Sequence, residues 1–295
     1  MPTLIHSLDR RSFLKTAGLG AGILAAGLGR GSSAAEKSEF RVALVSDTHI
    51  PADPEDAYRG FKPVENFKKI TPEIVEWKPE LVLHNGDVAR LEGKVEDYQA
   101  FLDLLKPISD LAPVCLSMGN HDDRVNFGTV FKNGAGNRQK VASKNVFVLE
   151  HALARFIVLD SLMYVNKTAG QLGKAQRDWL AGYLPKVADR PAIIFVHHTL
   201  GDADGELTDS DRLFAILEPH KHVKAIFYGH SHVWALTQRQ GIQLINQPAV
   251  AYPFSDNQPV GWVEGVFRAD GVDLKLRACG ANMAENGKVF EVRWS

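Results

Sequence analysis

The sequence predicts an α/β protein built on two sheets. From residue 40 to residue 228, apolar runs of strand length alternate with amphipathic stretches of helical period, an order that builds a sheet covered by helices. Beyond residue 228 the helical signals stop, and short strand signals joined by Gly- and Asp-containing turns take over, which calls for a second sheet. Two sheets packed face to face with helices outside form a four-layer α/β/β/α sandwich. The chain of 295 residues is 45% hydrophobic, which supplies enough apolar surface for one large buried domain.

Residues 1–35 read as an address rather than as part of that fold. Asp9-Arg10-Arg11-Ser12-Phe13-Leu14-Lys15 resembles a twin-arginine export signal. A weakly apolar stretch over residues 16–29 follows, with five glycines, too short and too glycine-rich to span a bilayer or hold a stable helix. Ser33-Ala34-Ala35 then offers small residues where a signal is cut. The expectation is export of a folded protein through the twin-arginine machinery to the periplasm or beyond. No stable membrane span is expected after the signal is removed.

The elements follow in order. Residues 40–46 form an apolar strand that runs into Asp47. Residues 64–77 have helical spacing of Phe67, Ile70, Ile74 and Trp77, with Pro72 as the start of a second turn. Residues 81–84 are a short buried strand ending at Gly86-Asp87. Residues 95–105 are amphipathic, with Tyr98, Phe101, Leu102 and Leu105 on one face. Residues 113–117 are a strand that ends at Gly119-Asn120-His121, and residues 145–149 and 154–160 form a strand pair. A helix over residues 171–183 buries Leu172, Trp179, Leu180 and Tyr183. Residues 192–196 are a strand ending at His197. A helix over residues 209–217 is capped by Asp209 or Ser210. Residues 223–228 lead as a strand to Gly229-His230. Residues 234–237, 243–246, 262–267 and 272–277 are the closing strands.

The chemistry lies in five islands that follow these strands: Asp47-Thr48-His49, Gly86-Asp87, Gly119-Asn120-His121-Asp122, His197-His198 and Gly229-His230-Ser231-His232. Loops at strand ends are where a sheet gathers distant residues into one site. Carboxylates, imidazoles and a carboxamide gathered there suit hard or borderline metal ions. Asp87 has two oxygens and could bridge two cations. Two metals side by side lower the pKa of a bound water and neutralise phosphoryl oxygens. A formal net charge of −1 leaves no bulk electrostatic attraction for a nucleic-acid polymer. Cys115 and Cys279 are too few and too far apart for a disulfide framework or a thiolate metal site.

Asp-x-His, Gly-Asp, Gly-Asn-His-Asp, His and Gly-His-x-His in this order resemble the calcineurin-like metallophosphoesterase superfamily, over roughly residues 40–250. Within it the chain is most similar to the class III cyclic-nucleotide phosphodiesterases, through Gly119-Asn120-His121-Asp122-Asp123-Arg124, Leu159-Asp160-Ser161 and Gly170-Gln171-Leu172 leading to Gln176 and Trp179-Leu180. The resemblance implies the four-layer sandwich over residues 36–295. It also implies two metal ions, whether Fe, Mn, Zn or Co. Asp47, His49, Asp87 and His232 would hold one metal. Asp87, Asn120, His197 and His230 would hold the other, with Asp87 shared. His121 would face the phosphoryl group or the leaving oxygen, and Asp122 would orient His121. The implied reaction is hydrolysis of a small phosphodiester, cyclic nucleotides included, by a metal-bound hydroxide. A phosphomonoesterase or nucleotidase is the alternative on the same site. A non-catalytic binding module, like the retromer subunit that keeps this fold with a degraded site, is a third reading.

The sequence departs from its relatives in two places. His197-His198-Thr199-Leu200 stands where many have His-His-Pro-Pro, which leaves His198 as an alternative to His197. No tyrosine follows Asp87 at the position where purple acid phosphatases bind metal, so a charge-transfer Fe(III)–tyrosinate site is not expected. Arg90 reads as a solvated surface arginine or a phosphate contact. His84 reads as a hydrogen-bonded core histidine, His151 as a surface residue and Ser161 as structural, with no base partner in view. Tyr252-Pro253-Phe254 and Asn257-Gln258 lie beyond the last ligand pair, where position places them near the pocket.

Overall fold

The computed structural model describes residues 3–5, 38–131 and 138–295. Arg10, Arg11 and the apolar stretch of the expected export signal lie outside them, but Thr3–Ile5, inside the segment read as an address and not as part of the fold, pairs with Val114–Leu116 at the edge of a sheet. Among the described residues there are fourteen strands: β1 (Thr3–Ile5), β2 (Phe40–Val45), β3 (Leu81–His84), β4 (Val114–Leu116), β5 (Arg138–Gln139), β6 (Val146–Glu150), β7 (Arg155–Val158), β8 (Ala192–Phe195), β9 (Val223–Tyr228), β10 (Ala235–Arg239), β11 (Ile242–Asn246), β12 (Pro259–Arg268), β13 (Gly271–Ala281) and β14 (Val289–Arg293). The helices are α1 (Pro63–Trp77), α2 (Val95–Ser109), α3 (Arg124–Val130), α4 (Lys174–Tyr183) and α5 (Ser210–Leu217).

The strands make two mixed seven-stranded sheets. The first runs β1-β4-β3-β2-β12-β13-β14 and the second β10-β11-β9-β8-β7-β6-β5. In the first, β2, β3 and β4 are parallel and β12 to β14 add on antiparallel. In the second, β7, β8, β9 and β11 are parallel, with antiparallel strands at either edge.

Side-chain alternation builds the layers. Val42 and Leu44 of β2 join Leu83, Phe156, Phe195, Phe227 and Phe267 in a core between the sheets. Ala43 and Val45, one residue out of step, join the helix residues Phe67, Ile70, Tyr98 and Phe101 on the other face. On the second sheet Ile157, Ile194 and Ile226 pack outward against Leu180, Leu213 and Phe214 of α4 and α5. Three apolar cores between four layers are the α/β/β/α sandwich, and each fully buried Phe or Leu adds about 1.5–3 kcal/mol.

Several elements differ from the sequence expectation. Pro72 sits inside one continuous α1. Helix α2 runs on through Pro107 to Ser109. The short α3, capped by Asp123 Oδ1 accepting from Val125 N and Asn126 N at 2.9 Å each, has too brief a pattern to read from periodicity. Asp209 precedes α5 but does not cap it. Its carboxylate accepts from Leu172 N and Gly173 N at 2.9 and 3.0 Å, at the start of α4 instead. Among the described residues no helix is long and apolar enough to cross a membrane.

Candidate metal centre

All five islands meet where the carboxyl ends of the two sheets' parallel strands face each other. The loops after β2 and β3 continue pairing past the strands: Asp47 N donates to Gly86 O, His49 N to Asp87 O and Ile50 N to Val88 O at 2.9–3.0 Å. Asp47, His49, Asp87, His230 and His232 all take left-handed backbone angles, with φ between 43° and 70°. Such angles strain a residue with a Cβ and persist only where the surroundings impose them. Gly86, at φ +100°, makes the turn before Asp87. Gly119 serves a different need. A Cβ there would strike the Asp87 carboxylate and stand 2.6 Å from His197 Nε2.

The geometry of the histidines fixes their protonation. His49 Nδ1 lies 3.2 Å from Arg90 O, His232 Nδ1 2.6 Å from Tyr252 O and His197 Nδ1 2.9 Å from Asn85 O. His230 Nε2 lies 2.9 Å from Gly205 O. A carbonyl only accepts, so each of these nitrogens carries the proton. The opposite nitrogen of each ring faces the site, and in the neutral rings of His49, His230 and His232 it presents a lone pair there. There His49 Nε2 faces His232 Nε2 at 3.1 Å, and His230 Nδ1 faces Asn120 Oδ1 at 2.8 Å. His197 Nε2 faces Asn120 Oδ1 and Asp87 Oδ2 at 3.3 Å each. Lone pairs converging on lone pairs require a cation between them, and the backbone partners behind each ring are the orienting shell of a metal site.

Two carboxylates add the charge. Asp47 and Asp87 are 0% and 2% exposed. Burial is the largest influence and opposes their ionisation, but His197 and His232 around Asp47, and His197, His121 and His49 around Asp87, together hold both carboxyls below the ordinary range. Burial pushes His49 down to about 3 and His230 to about 4. Burial also works against a charged His197, yet Asp87 and Asp47 raise it to about 9. The pocket therefore demands positive charge, and in the free protein it takes a proton on His197. Three groups of ligand atoms lie within 4.8 Å of one another: Asp47-His49-His232, His49-Asp87-His121 and Asp87-His197-His230. Each can hold a metal ion, and the donor set of imidazole, carboxylate and carboxamide fits a divalent one.

His121 belongs to the second of these groups and Asp122 sits beside them, with different partners. His121 N donates to Asp87 Oδ1 at 2.8 Å, and its Nδ1 meets Leu91 O at 2.9 Å. The Leu91 carbonyl thus sets this ring, where the sequence suggested Asp122. Asp122 is fully buried and accepts from Val88 N, Ala89 N, Gly119 N and the Tyr98 hydroxyl at 2.8–3.2 Å. It ties the Asp87 loop to the Gly119-Asn120 turn.

The structure places His197, not His198, among the carboxylates. His198 turns away and pairs with Ser161, Nδ1 to Oγ 2.7 Å, so Ser161 does have an imidazole partner. Both are sealed at 0% exposure, out of reach of any substrate. Arg90 is not a freely solvated side chain: Nε donates to Asp56 at 3.2 Å, and the guanidinium lies 5.3 Å from the Tyr58 ring. His84 is hydrogen-bonded in the core, as expected. His151 is stacked on Phe40 at 3.9 Å rather than standing out on the surface.

Asn85 escaped the sequence reading. Its Nδ2 reaches from the first sheet to Val196 O, Phe227 O and Gln247 Oε1 of the second at 2.9–3.3 Å, while its carbonyl orients His197. The one signal for it is its place before Gly86-Asp87.

The family model for calcineurin-like phosphoesterase matches residues 40–234. The chain belongs to this family. It is a metallophosphoesterase, a metal-dependent hydrolase of phosphoric esters. Among curated proteins it is 28% identical over 253 residues to the 3',5'-cyclic adenosine monophosphate phosphodiesterase CpdA of Haemophilus influenzae, covering 80% of this chain and 89% of that one. It is 26% identical over 227 residues to the 3',5'-cyclic-nucleotide phosphodiesterase alr5338 of a Nostoc species, covering 74% and 81%. The glycerophosphodiester phosphodiesterase GpdQ of Enterobacter lignolyticus is 26% identical over 231 residues, with the same coverage. Among solved structures, a dimetal phosphatase from Danio rerio superposes with a TM-score of 0.70 at 13% identity, over 87% of this chain and 99% of that one. That likeness confirms the fold of the metallophosphoesterase.

Proposed function

We propose that the protein is an exported phosphodiesterase working through two metal ions. The observation that carries this reading is the set of four histidines, each held by a backbone carbonyl on one nitrogen, whose other nitrogens converge on Asp47, Asp87 and Asn120. Asp47, His49, Asp87 and His232 would hold one ion and Asp87, Asn120, His197 and His230 the other. Asp87 Oδ2 lies 3.7 Å from His49 Nε2 and 3.3 Å from His197 Nε2, within reach of both sets, which supports its bridging role. Bound there, the ions supply a water-derived nucleophile near neutral pH and offset charge on the phosphoryl oxygens.

The chain's own residues do the rest. Hydrolysis breaks one P–O ester bond, and the departing oxygen needs a proton. His121 stands beside His49 and Asp87 with Nδ1 bound to Leu91 O, so its other nitrogen faces the site; as an imidazolium it would give the proton there to the departing oxygen, as general acid. Asp122, through Val88, Ala89 and Gly119, holds the loops that carry Asp87 and Asn120. The diester preference rests on relatives named as cyclic-nucleotide and glycerophosphodiester phosphodiesterases. Export rests on the Arg10-Arg11 segment; removal of residues 1–35 would leave residues 36–295 as the enzyme and take the three-residue edge strand β1 from the first sheet.

Bis-p-nitrophenyl phosphate, assayed with Mn²⁺ beside metal analysis of the folded protein, tests the catalytic reading. Absence of both bound metal and turnover would sink it. A panel of mono-, di- and cyclic phosphates with Fe, Mn, Zn and Co separates diesterase from monoesterase. N-terminal sequencing of the protein from the periplasmic fraction tests the export signal, and an intact cytoplasmic chain would refute it.

A further inference from the structure

One flank of the metal centre is aromatic. The Tyr252 ring lies 5.2 Å from the His49 ring and 4.9 Å from the His232 ring. Phe254 stacks on His232 at 4.3 Å and 19°. Tyr58 meets Tyr252 edge-on at 4.8 Å. The Arg90 guanidinium lies 5.3 Å from Tyr58 and 5.9 Å from Tyr252. Continuous ring contacts therefore run from two metal-site histidines to the surface.

The outer members are open to solvent. Phe254 is 49% exposed and Tyr58 42%, while Tyr252 beneath them is buried. Both outer rings thus keep apolar surface open to a flat ligand beside the metal site. The pair is also held in place. Arg59, in a left-handed backbone at φ 53°, donates from Nη2 to Phe254 O at 2.8 Å. Tyr58 and Phe61 exchange backbone hydrogen bonds at 2.9 Å, and Asp56 anchors Arg90 at 3.2 Å. Rings fixed before binding lose little entropy when a flat partner stacks on them, and a guanidinium beside them adds a further π contact.

We propose that Tyr58, Tyr252, Phe254 and Arg90 form a subsite for the nucleobase of the phosphodiester, so that nucleoside esters are preferred over alkyl diesters. This rests on the phosphodiesterase reading and narrows its substrate class. A purely aliphatic group, such as glycerol, leaves these rings unstacked.

The test uses the full Mn²⁺-loaded protein and two ratios. The first is kcat/KM for adenosine 3',5'-cyclic phosphate over that for glycerophosphoethanolamine. The second is the calorimetric affinity for AMP over that for ribose 5-phosphate, which needs no turnover. The wild type should favour the adenosine ligand in both by roughly tenfold or more, as a base–aromatic stack supplies. Phe254→Ala and Tyr58→Ala should each lower the ratios several-fold, mainly through KM, and Phe254→Tyr should restore them. Equal affinity for AMP and ribose 5-phosphate in the wild type, or ratios insensitive to both alanine variants, overturns the subsite. A metal-loaded protein that binds neither phosphate overturns the phosphodiesterase reading itself, and the subsite with it.

Discussion

The Nε2 atoms of His49 and His232 stand 3.1 Å apart, and the other nitrogen of each ring is bound to a main-chain carbonyl. Neither ring can donate to the other, so the contact repels until a cation enters. Chelation of the purified protein should therefore lower its melting temperature, and Mn²⁺ should restore it. At about 100 times Kd the ion adds about 2.7 kcal/mol, or roughly 5–10 °C for a domain of this size. Differential scanning calorimetry with EDTA and then Mn²⁺ checks this; a transition indifferent to both would contradict it.

His121→Ala and Asn120→Ala should fail in different ways. His121→Ala removes the proton donor and should lower kcat by about 10²–10⁴ with bound metal unchanged. Asn120→Ala should lower bound metal as well, because Asn120 Oδ1 sits between His197 and His230. Metal analysis beside steady-state kinetics separates the two.

Tyr98 supports the site from below. Its hydroxyl donates to Asp122 at 3.1 Å and accepts from Asp123 N at 2.9 Å. Tyr98→Phe strands both partners and should cost about 1–3 kcal/mol in urea unfolding. Asp122→Ala leaves Val88 N, Ala89 N and Gly119 N without their acceptor and should cost more. Equal stability of all three proteins would show that these bonds carry nothing.

His84 gives the acid limb of stability a particular shape. Burial lowers it from 6.5 to about 4; its Nδ1 accepts from Gly86 N and its Nε2 meets Thr48 Oγ1 at 2.9 Å. Below pH 6.5 the unfolded chain takes up a proton that the folded chain refuses. The contribution is complete above pH 6.5 and is lost as pH falls through that window to about 4, about 2 kcal/mol by pH 5. His84→Gln keeps an acceptor and a donor but does not titrate. In metal-free protein its stability should fall less than the wild type's between pH 7 and pH 5, as measured by urea unfolding.

That the seven residues expected as ligands meet at one place was legible because strand ends announce them: an apolar run, then Asp, His or Asn, often beside a glycine. The three apolar cores were legible for the same reason, since alternation in β2 separates Val42 and Leu44 from Ala43 and Val45. What could not be read depends on contacts between distant segments. Asp122 looks like a partner for its neighbour His121 in sequence, yet the backbone turns it toward Tyr98 and Val88. Asp209 looks like a cap for the helix it precedes, yet it serves α4 instead. The carbonyls of Arg90, Leu91, Gly205 and Tyr252 that orient the histidines have no side-chain signature at all. Arg90 and Tyr58 lie in a segment without periodicity, and only the fold brings them to Tyr252.

Asp47, Asp87 and Asn120 follow strands of the first sheet, while His197 follows β8 and His230 and His232 follow β9 of the second. The backbone of Asp47 is in turn held by Ala251 N at 3.0 Å, and β2 is flanked by β12, made near the end of synthesis. A nascent chain that has emerged only through β8 has neither His230 nor His232 nor the strand that steadies Asp47. Metal capture is thus a late event in the life of the polypeptide, reserved for chains whose two halves have already closed on each other.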